Sequence, residues 1–227
     1  MNAFDLPQPH VRIAGSDASF PVRRIYCIGQ NYAAHAREMG GDPSREPPFY
    51  FMKPPDAVIA NGSTVNWPPR TSNLHHEIEL VVAIGRAGAN IGAEEALAHI
   101  FGYAAGIDLT RRDLQATAKK SGRPWDTAKG FDQSAPISSI HRSSDIGHPS
   151  AGRIWLEVNG EIRQDSDIGQ MIWRVPEAIA ELSTLFTLQP GDLLFTGTPE
   201  GVGPLQAGDN VAGGIDGVAD IQVELGF

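Results

Sequence analysis

Short apolar runs, each closed by turn residues, recur along the chain and predict a protein built mostly of strands. The clearest run is HHEIELVVAIG, residues 75–85, whose second half is apolar and long enough for one buried strand. Asn159-Gly160 separates two further runs and is typical of a two-residue β-hairpin turn. Other strands are predicted at residues 24–28, 49–53, 57–59 and 103–109.

Helical patterns are fewer and shorter. Asn31 is placed to cap a brief helix over residues 32–39, which the glycines at 40 and 41 would stop. The polar, proline-bearing segment 40–48 then predicts a mobile flap. Further helices are predicted over residues 93–100 and 111–120.

A last helix is predicted to begin at Pro176. Proline is favoured in the first turn of a helix because the missing N–H has no intrahelical partner there. The apolar positions that follow fall on one stripe: Ile179, Leu182, Leu185 and Phe186.

Composition agrees with a turn-rich β protein, since 25 glycines and 17 prolines occur among 227 residues. No linker interrupts the pattern, so residues 21–227 are predicted to form a single domain. Residues 1–20 are predicted to be a leader of weak order that carries one edge strand.

The net charge of -9 argues against a nucleic-acid surface, and an anionic substrate would need a local cationic or metallic site. The single cysteine, Cys27, excludes an internal disulfide and fits a reducing cytoplasm. Its apolar neighbours predict a buried structural thiol. The N-terminal residues lack the pattern of a signal peptide, and no apolar run reaches the length of a membrane span.

Glu77 and Glu79 stand at the head of the apolar run. Residues two apart in a strand face the same way, so these carboxylates repel each other unless one is protonated or a cation lies between them. Mg, Mn or Ca suits such an all-oxygen site, and Asp108, which ends an apolar run, is the candidate third ligand. The alternative is that the glutamates face water. His75 and His76 could add nitrogen ligands, although supporting or surface positions are favoured.

His35 and Glu38 form a second candidate pair. At a spacing of three residues on a helical turn, the carboxylate can orient the imidazole as a general base that activates water. An exposed pair on a short helix is the structural alternative, and the residues alone favour it.

Arg112, Gln115 and Lys129 could clamp a substrate carboxylate and carbonyl oxygens if they face a metal. The loop that contains Thr196 and Thr198 could receive a carboxylate on its backbone N–H groups and hydroxyls. Solvated side chains and a structural turn are the corresponding alternatives.

The order of these pieces resembles the fumarylacetoacetate hydrolase family, especially its members that hydrolyse acylpyruvates such as fumarylpyruvate. The matching runs are CIGQNYAAHAREMG (27–40), HHEIELVVAIG (75–85), GYAAGIDLTRRDLQ (102–115), GRPWDTAKGFDQSAPI (122–137) and LFTGTPEGVGPL (194–205). The resemblance implies an α+β, mostly β fold with a mixed β-sandwich roll or barrel-like core, short peripheral helices and a homodimer.

The resemblance also implies site roles. It implies Mg or Mn on Glu77, Glu79 and Asp108, and a His35–Glu38 dyad on a lid. The substrate contacts and assisting groups that it implies are Arg112, Gln115, Lys129 and Thr198. One departure is Gln30, where relatives commonly carry an arginine; if that arginine binds a carboxylate, Gln30 weakens the case for a dicarboxylic substrate.

The expected reaction is hydrolysis of the C–C bond of an acylpyruvate, with fumarylpyruvate giving fumarate and pyruvate. The metal would chelate the keto-acid end and stabilise the pyruvate enolate. Three alternatives stay open: an oxaloacetate decarboxylase, an isomerase of unsaturated keto-dicarboxylates in aromatic catabolism, and a non-enzymatic metal-binding domain.

Overall fold

Strands carry most of the architecture, as the apolar runs predict. The structure is a computed structural model that describes residues 3–38 and 47–227. These residues form eighteen strands: β1 (His10–Arg12), β2 (Ser19–Pro21), β3 (Arg24–Gly29), β4 (Phe49–Lys53), β5 (Val58–Ala60), β6 (Thr64–Val65), β7 (Leu74–His76), β8 (Ile78–Ile84), β9 (Ile100–Ile107), β10 (Thr110–Arg111), β11 (Ala135–Ile137), β12 (His141–Arg142), β13 (Arg153–Val158), β14 (Glu161–Asp167), β15 (Asp192–Phe195), β16 (Gly203–Pro204), β17 (Asn210–Ile215) and β18 (Ala219–Leu225).

The helices of the described residues are short. The five α-helices are α1 (Ala33–Glu38), α2 (Arg112–Lys120), α3 (Asp126–Lys129), α4 (Ser143–Ile146) and α5 (Val175–Leu185). Three 3₁₀ turns lie at Pro55–Ala57, Ala96–His99 and Ile168–Gln170. Among the helices of this part of the chain, none combines the length and the hydrophobicity needed to traverse a lipid bilayer.

The largest sheet has eight strands and curls into a half-barrel. Its strand order is β4-β3-β15-β8-β9-β11-β5, and β12 also pairs with β9. A five-stranded sheet has the order β14-β13-β17-β18-β6, and two small sheets have the orders β10-β7-β16 and β1-β2. The main sheet is mixed, because β15 pairs parallel with β3 and antiparallel with β8. The predicted mostly β fold with a curled core is confirmed.

Strand β8 lies at the centre of this sheet and is buried at every position. Its alternate residues enter two hydrophobic clusters. Leu80 and Val82 pack in a cluster that includes residues of the five-stranded sheet and α5. Val81 and Ala83 pack in the other, which includes residues of β1 and β2. The apolar run is continuous because both faces of the strand are covered.

Several predicted elements are confirmed close to their predicted positions. Residues 24–28 fall in β3, 49–53 coincide with β4, and 57–59 overlap β5. The hairpin joins β13 to β14, with φ of 53° at Asn159 and 81° at Gly160. Positive φ at both central residues is what a type I′ turn requires, and this explains the Asn-Gly pair.

Three local predictions were wrong. Residues 93–100 do not form an α-helix: only Ala96–His99 is helical, as a 3₁₀ turn, and Ile100 already belongs to β9. Pairing of β9 with β8 overrides the helix propensity of the alanines there. Asn31 does not cap α1, because its side-chain amide donates to the carbonyls of Trp173 and Thr196. Leu185 is 60% exposed at the end of α5, off the buried stripe.

The end of the predicted 32–39 helix at Met39 and most of the predicted flap lie outside the described residues. The first twenty residues contribute β1 and β2, and Val11 and Phe20 are buried against the main sheet. Cys27 is buried in β3, where burial raises the pKa of its thiol well above the usual range.

Candidate active site

Three carboxylates meet where β7, β8 and β9 come together. Glu77 occupies the break between β7 and β8, Glu79 is the second residue of β8, and Asp108 directly follows β9. The Asp108 N–H donates to the Glu77 carbonyl at 2.8 Å, which places the two chain segments side by side. One oxygen of each carboxylate lies within 4.8 Å of the others, and all three side chains are buried. The alternative of a water-facing pair therefore does not hold, and the predicted three-acid cluster is assembled.

Two buried lysines and one arginine offset the negative charge. Lys129 Nζ donates to Glu77 Oε2 at 2.8 Å and to Asp108 Oδ2 at 2.7 Å. Arg112 donates to Glu77 Oε1. Lys53 Nζ lies 2.8 Å from Asp108 Oδ1. Burial favours the neutral acid, but the Lys129 and Arg112 charges prevail and hold the pKa of Glu77 below its usual range.

Glu79 has a different environment. Its Oε2 accepts a hydrogen bond from the Gly197 N–H at 2.7 Å. Among residues 3–38 and 47–227, no cation forms an ion pair with it. Burial, followed by the negative charges of Asp108 and Glu77, raises the pKa of Glu79 well above its usual range. Of the three carboxylates, Glu79 is thus the one that forms no ion pair with a described residue.

These observations fit a divalent cation. Glu79 forms no ion pair with a described residue. In addition, Asp108 Oδ1 is buried without an aligned hydrogen-bond donor, although Lys53 is close to it. Three carboxylates give an all-oxygen donor set, which suits Mg or Mn. Glu77, Glu79 and Asp108 could therefore hold such a metal.

His35 and Glu38 form the pair that their spacing predicts. His35 Nδ1 lies 3.0 Å from Glu38 Oε2, and Glu38 Oε1 accepts from the Gly201 N–H at 3.2 Å. His35 is only 5% exposed, so the alternative of an exposed pair does not hold for the imidazole, whereas Glu38 is exposed. With its Nδ1–H directed to the carboxylate, a neutral imidazole leaves Nε2 free to accept a proton.

One pocket unites these groups. The predicted site residues that line it are His35, Glu77, Glu79, Arg112, Gln115, Lys129 and Thr198. The rest of the lining is Ile28, Gly29, Gln30, Phe51, Lys119 and Trp125. Glu38 and Asp108 support it through their contacts with His35 and Lys129. The cavity volume is about 30 Å³, enough for a water or an ion. A keto acid would therefore bind only if some lining side chains move apart.

The two histidines at the start of the acidic stretch do not belong to the cluster. His75 Nδ1 accepts from Arg112 Nε at 3.4 Å, and burial together with the Arg112 charge lowers the pKa of His75 to about 4. His76 Nδ1 lies 3.1 Å from Gln164 Oε1. Both histidines thus hold neighbouring side chains in position, in line with the supporting roles favoured from sequence.

Sequence reasoning missed Gln164, a buried residue of β14. Its Oε1 accepts from the Ile78 N–H at 3.1 Å, while its Nε2 donates to Thr198 Oγ1 at 2.8 Å and to the Pro199 carbonyl at 2.9 Å. Gln164 therefore ties the acidic strand to the Thr198 loop. A glutamine in a strand of polar residues gives no local signal of such a role.

The Thr198 loop already binds a carboxylate of the protein itself, that of Glu79. The Gly197 N–H is directed at Glu79, and the Thr196 hydroxyl donates to the Leu80 carbonyl at 2.9 Å. Gly197 has φ of 91°, and a Cβ there would lie 2.7 Å from the Asn31 Cβ, so this position requires glycine. Of the two predicted threonines, Thr198 lines the pocket and Thr196 fixes the loop to β8.

Lys53 is the second residue that sequence reasoning missed. It ends β4, is 1% exposed, and donates to the carbonyls of Leu109, at 3.2 Å, and Lys129. A charged residue at the end of an apolar strand was the signal that identified Asp108, and the same signal was available at Lys53.

Lys53→Met is expected to destabilise the metal-free protein by about 3 kcal/mol, because it leaves Asp108 Oδ1 and two carbonyls buried without their cation. Methionine fills similar space without charge. Urea unfolding measures the change, with the exposed Lys120→Met as control. A difference of less than about 0.5 kcal/mol between the two variants would show that Lys53 does not support the site.

The fold is curled and mostly β, and it places a buried three-carboxylate cluster beside a histidine–glutamate pair. These features define a class of protein that can hold a divalent cation in a small polar pocket. The chain belongs to the fumarylacetoacetate hydrolase family, since the model of the family "Fumarylacetoacetate (FAA) hydrolase C-terminal" matches residues 24–225.

Individual relatives carry different names. The chain is 49% identical to a fumarylpyruvate hydrolase of Ralstonia sp over 185 residues, covering 82% of this chain and 96% of the relative. It is 42% identical to a mitochondrial oxaloacetate tautomerase of Arabidopsis thaliana over 202 residues, covering 89% and 90%. A crystal structure of fumarylpyruvate hydrolase from Pseudomonas aeruginosa in complex with Mn2+ and pyruvate is 51% identical, covers 100% of both chains and superposes with a TM-score of 0.98.

Proposed function

We propose that this protein is a metal-dependent hydrolase of C–C bonds that cleaves acylpyruvates, with fumarylpyruvate as the preferred substrate. The observation that carries the proposal is that one pocket combines the cluster of Glu77, Glu79 and Asp108 with the His35–Glu38 pair. The identity to fumarylpyruvate hydrolases, one of them solved with Mn2+ and pyruvate, supports the substrate.

The proposed metal ligands are Glu77, Glu79 and Asp108, and Mg or Mn is the proposed ion. When bound, the ion supplies Lewis-acid stabilisation of negative charge on the oxygens of the keto acid. Lys129 and Arg112 hold Glu77 in place, and Lys129 also bridges to Asp108. These cations keep the ligand set together against the repulsion of its own charges.

The proposed general base is His35, oriented by Glu38. Nε2 removes a proton from water, which attacks the carbonyl carbon of the acyl group. The bond from that carbon to the methylene breaks, and its electron pair passes into the pyruvate half. His35 then returns the proton to the methylene carbon, so water and acylpyruvate become a carboxylic acid and pyruvate.

Arg112, Gln115, Lys129 and Thr198 are the proposed substrate contacts, because all four line the pocket. The substrate would take over some of the hydrogen bonds that these residues make to one another. One example is the bond of 2.6 Å from Arg112 to Gln115. Thr198 is held in place by Gln164.

Cleavage is tested by incubating the protein with Mn2+ or Mg2+ and a panel of fumarylpyruvate, maleylpyruvate, simple acylpyruvates and oxaloacetate. Pyruvate is measured for each, together with fumarate for the first. Equimolar pyruvate and fumarate are expected from fumarylpyruvate. The hydrolase proposal fails if no acylpyruvate releases pyruvate.

Oxaloacetate tautomerase is the second candidate, favoured by the identity of 42% to relatives with that name. Oxaloacetate shares the keto-acid end that the pocket would bind. Enol-to-keto conversion of oxaloacetate, followed by its ultraviolet absorbance and without acylpyruvate cleavage, would select this candidate. Release of carbon dioxide instead would select the decarboxylase alternative.

The domain organisation, the oligomeric state and the cellular location are also proposals. The match over residues 24–225 supports a single catalytic domain over 21–227. The family resemblance supports a homodimer as a proposal, and light scattering would then give twice the chain mass of 24.3 kDa. The lone buried Cys27 supports a cytoplasmic location.

A further inference from the structure

Helix α2 presents a row of three polar side chains to the pocket. Arg112, Gln115 and Lys119 are spaced by three and four residues, so they lie on one face of the helix, and all three line the pocket. Gln115 is 4% exposed, whereas Lys119 is exposed to solvent. The row therefore runs from the three carboxylates, here called the acidic floor of the pocket, to the solvent-exposed end, here called its mouth. The distance along the helix is about 10 Å, on the order of the length of an extended dicarboxylic keto acid.

Lys119 differs from the other described cations of the pocket in forming no ion pair with a described carboxylate. Arg112 is engaged by Glu77 and Gln115, and Lys129 by Glu77 and Asp108. Among the described residues of the chain, no carboxylate lies within ion-pair distance of Lys119. Its ammonium is the one pocket-lining cation in that part of the chain that can receive an external anion without breaking an internal ion pair.

The Lys119 side chain is also held toward the pocket. Its Nζ lies 5.9 Å from the centre of the Trp125 ring, within the range of a cation–π contact. Trp125 is itself fixed by Phe49, at 5.2 Å between ring centres in an edge-to-face arrangement, and by Phe51 at 5.8 Å. Phe51 and Trp125, whose ring planes are inclined at 53°, thus form an apolar part of the pocket lining, Phe51 beside Lys129 and Trp125 beside Lys119.

Gln30, a half-buried polar residue of the pocket, carries no charge. Gln30 lines the pocket with φ of 57°, and it can offer hydrogen bonds but no positive charge to an anion. Because the whole chain has a net charge of -9, a dianionic ligand needs a local cation at the mouth as well as one at the floor.

We propose that Lys119, braced by Trp125, forms the subsite for the distal carboxylate of a dicarboxylic acyl group, with Phe51 and Trp125 flanking the chain between the two anionic ends. This assignment rests on the proposed function and names Lys119 as the residue that favours acyl groups ending in a carboxylate over neutral ones.

The test compares Lys119→Met with the matched control Lys120→Met, which removes the same charge from an adjacent exposed residue that does not line the pocket. Each variant is assayed with Mn2+ on fumarylpyruvate, which has a distal carboxylate, and on acetylpyruvate, which has none. Lys119→Met is expected to lower kcat/KM for fumarylpyruvate about tenfold, mainly through KM, as for the loss of one charged hydrogen bond. Acetylpyruvate turnover should stay within about twofold, Lys119→Arg should recover most of the loss, and Lys120→Met should leave both substrates unchanged.

The subsite is overturned if Lys119→Met affects both substrates equally, affects neither, or is matched by Lys120→Met. If the wild-type protein cleaves neither substrate, the proposed function fails, and the subsite is judged by binding alone. Calorimetry would then compare fumarate with acetate on the Mn2+-loaded protein. Weaker fumarate binding in Lys119→Met, with acetate unchanged, would support the subsite, and equal fumarate binding would refute it.

Discussion

Glu79→Gln is expected to abolish binding of Mn2+ and Mg2+, and turnover with it, while stabilising the metal-free protein. Loss of an outer partner of a metal ligand already costs about 10–100-fold in affinity, so loss of a charged ligand should cost more. In the metal-free protein, by contrast, Glu79 forms no ion pair with a described residue and faces the charges of Asp108 and Glu77. Glutamine keeps the shape of the side chain and removes this repulsion.

The stabilisation should depend on pH in a defined direction. The pKa of Glu79 is raised in the folded protein, so the folded state holds this proton more tightly than the unfolded chain does. That contribution is fully present below the unfolded pKa, about 4.3, and is lost as pH rises toward the folded pKa. The Tm advantage of Glu79→Gln over wild type should therefore grow as pH rises above the unfolded pKa of about 4.3.

Thermal unfolding of the chelator-treated protein measures this difference, and titration calorimetry with Mn2+ measures the metal. Glu224→Gln is a suitable control, because Glu224 is exposed on β18 away from the cluster. Unchanged Mn2+ affinity in Glu79→Gln would remove Glu79 from the ligand set. If metal-free Glu79→Gln were less stable than metal-free wild type at neutral pH, the charge of Glu79 would be compensated in the folded protein, contrary to this prediction.

His35→Ala is expected to slow acylpyruvate cleavage by about 10²–10⁴-fold, the usual contribution of a positioned general base. Metal binding should persist, because His35 is bonded to Glu38 and not to the three carboxylates. Glu38→Gln should lose less, since the imidazole stays in place but its Nδ1–H has no charged partner. The measurements are pyruvate release and, in parallel, Mn2+ affinity.

His148→Ala provides the matched control for His35. His148 also makes one side-chain hydrogen bond through Nδ1, at 2.7 Å to the Tyr103 hydroxyl, and it does not line the pocket. Full hydrolysis in His35→Ala would remove the dyad from the mechanism. Loss of Mn2+ binding in the same variant would show that His35 supports the metal site instead of activating water.

What the sequence reveals about this fold is mostly local. The continuous apolar run of β8, the Asn159-Gly160 turn and the acidic pair at the head of a strand each express a short-range rule, and the structure follows it. The helix predicted over residues 93–100 failed because strand pairing of β9, a long-range contact, decided the conformation.

Long-range contacts also explain what was missed at the site. Gln164 joins Ile78 and Thr198 across 86 and 34 residues, and Lys53 reaches Leu109 across 56. Gln164 forms no local motif, and Lys53 shows only that a charge ends an apolar strand. The folded sheet is what brings both residues to the cluster. The roles of Arg112, Lys129 and Thr198 were implied by family resemblance, because a lone cation or hydroxyl carries no specific signal.

The most direct test of the account is a titration of the metal-free protein with Mn2+, in which bound metal and fumarylpyruvate cleavage are measured on the same samples. The account predicts no cleavage without metal and a rate that rises in proportion to the bound ion, until each chain holds one at Glu77, Glu79 and Asp108. Cleavage that persists in the presence of a chelator, or its absence when the metal site is saturated, would contradict it.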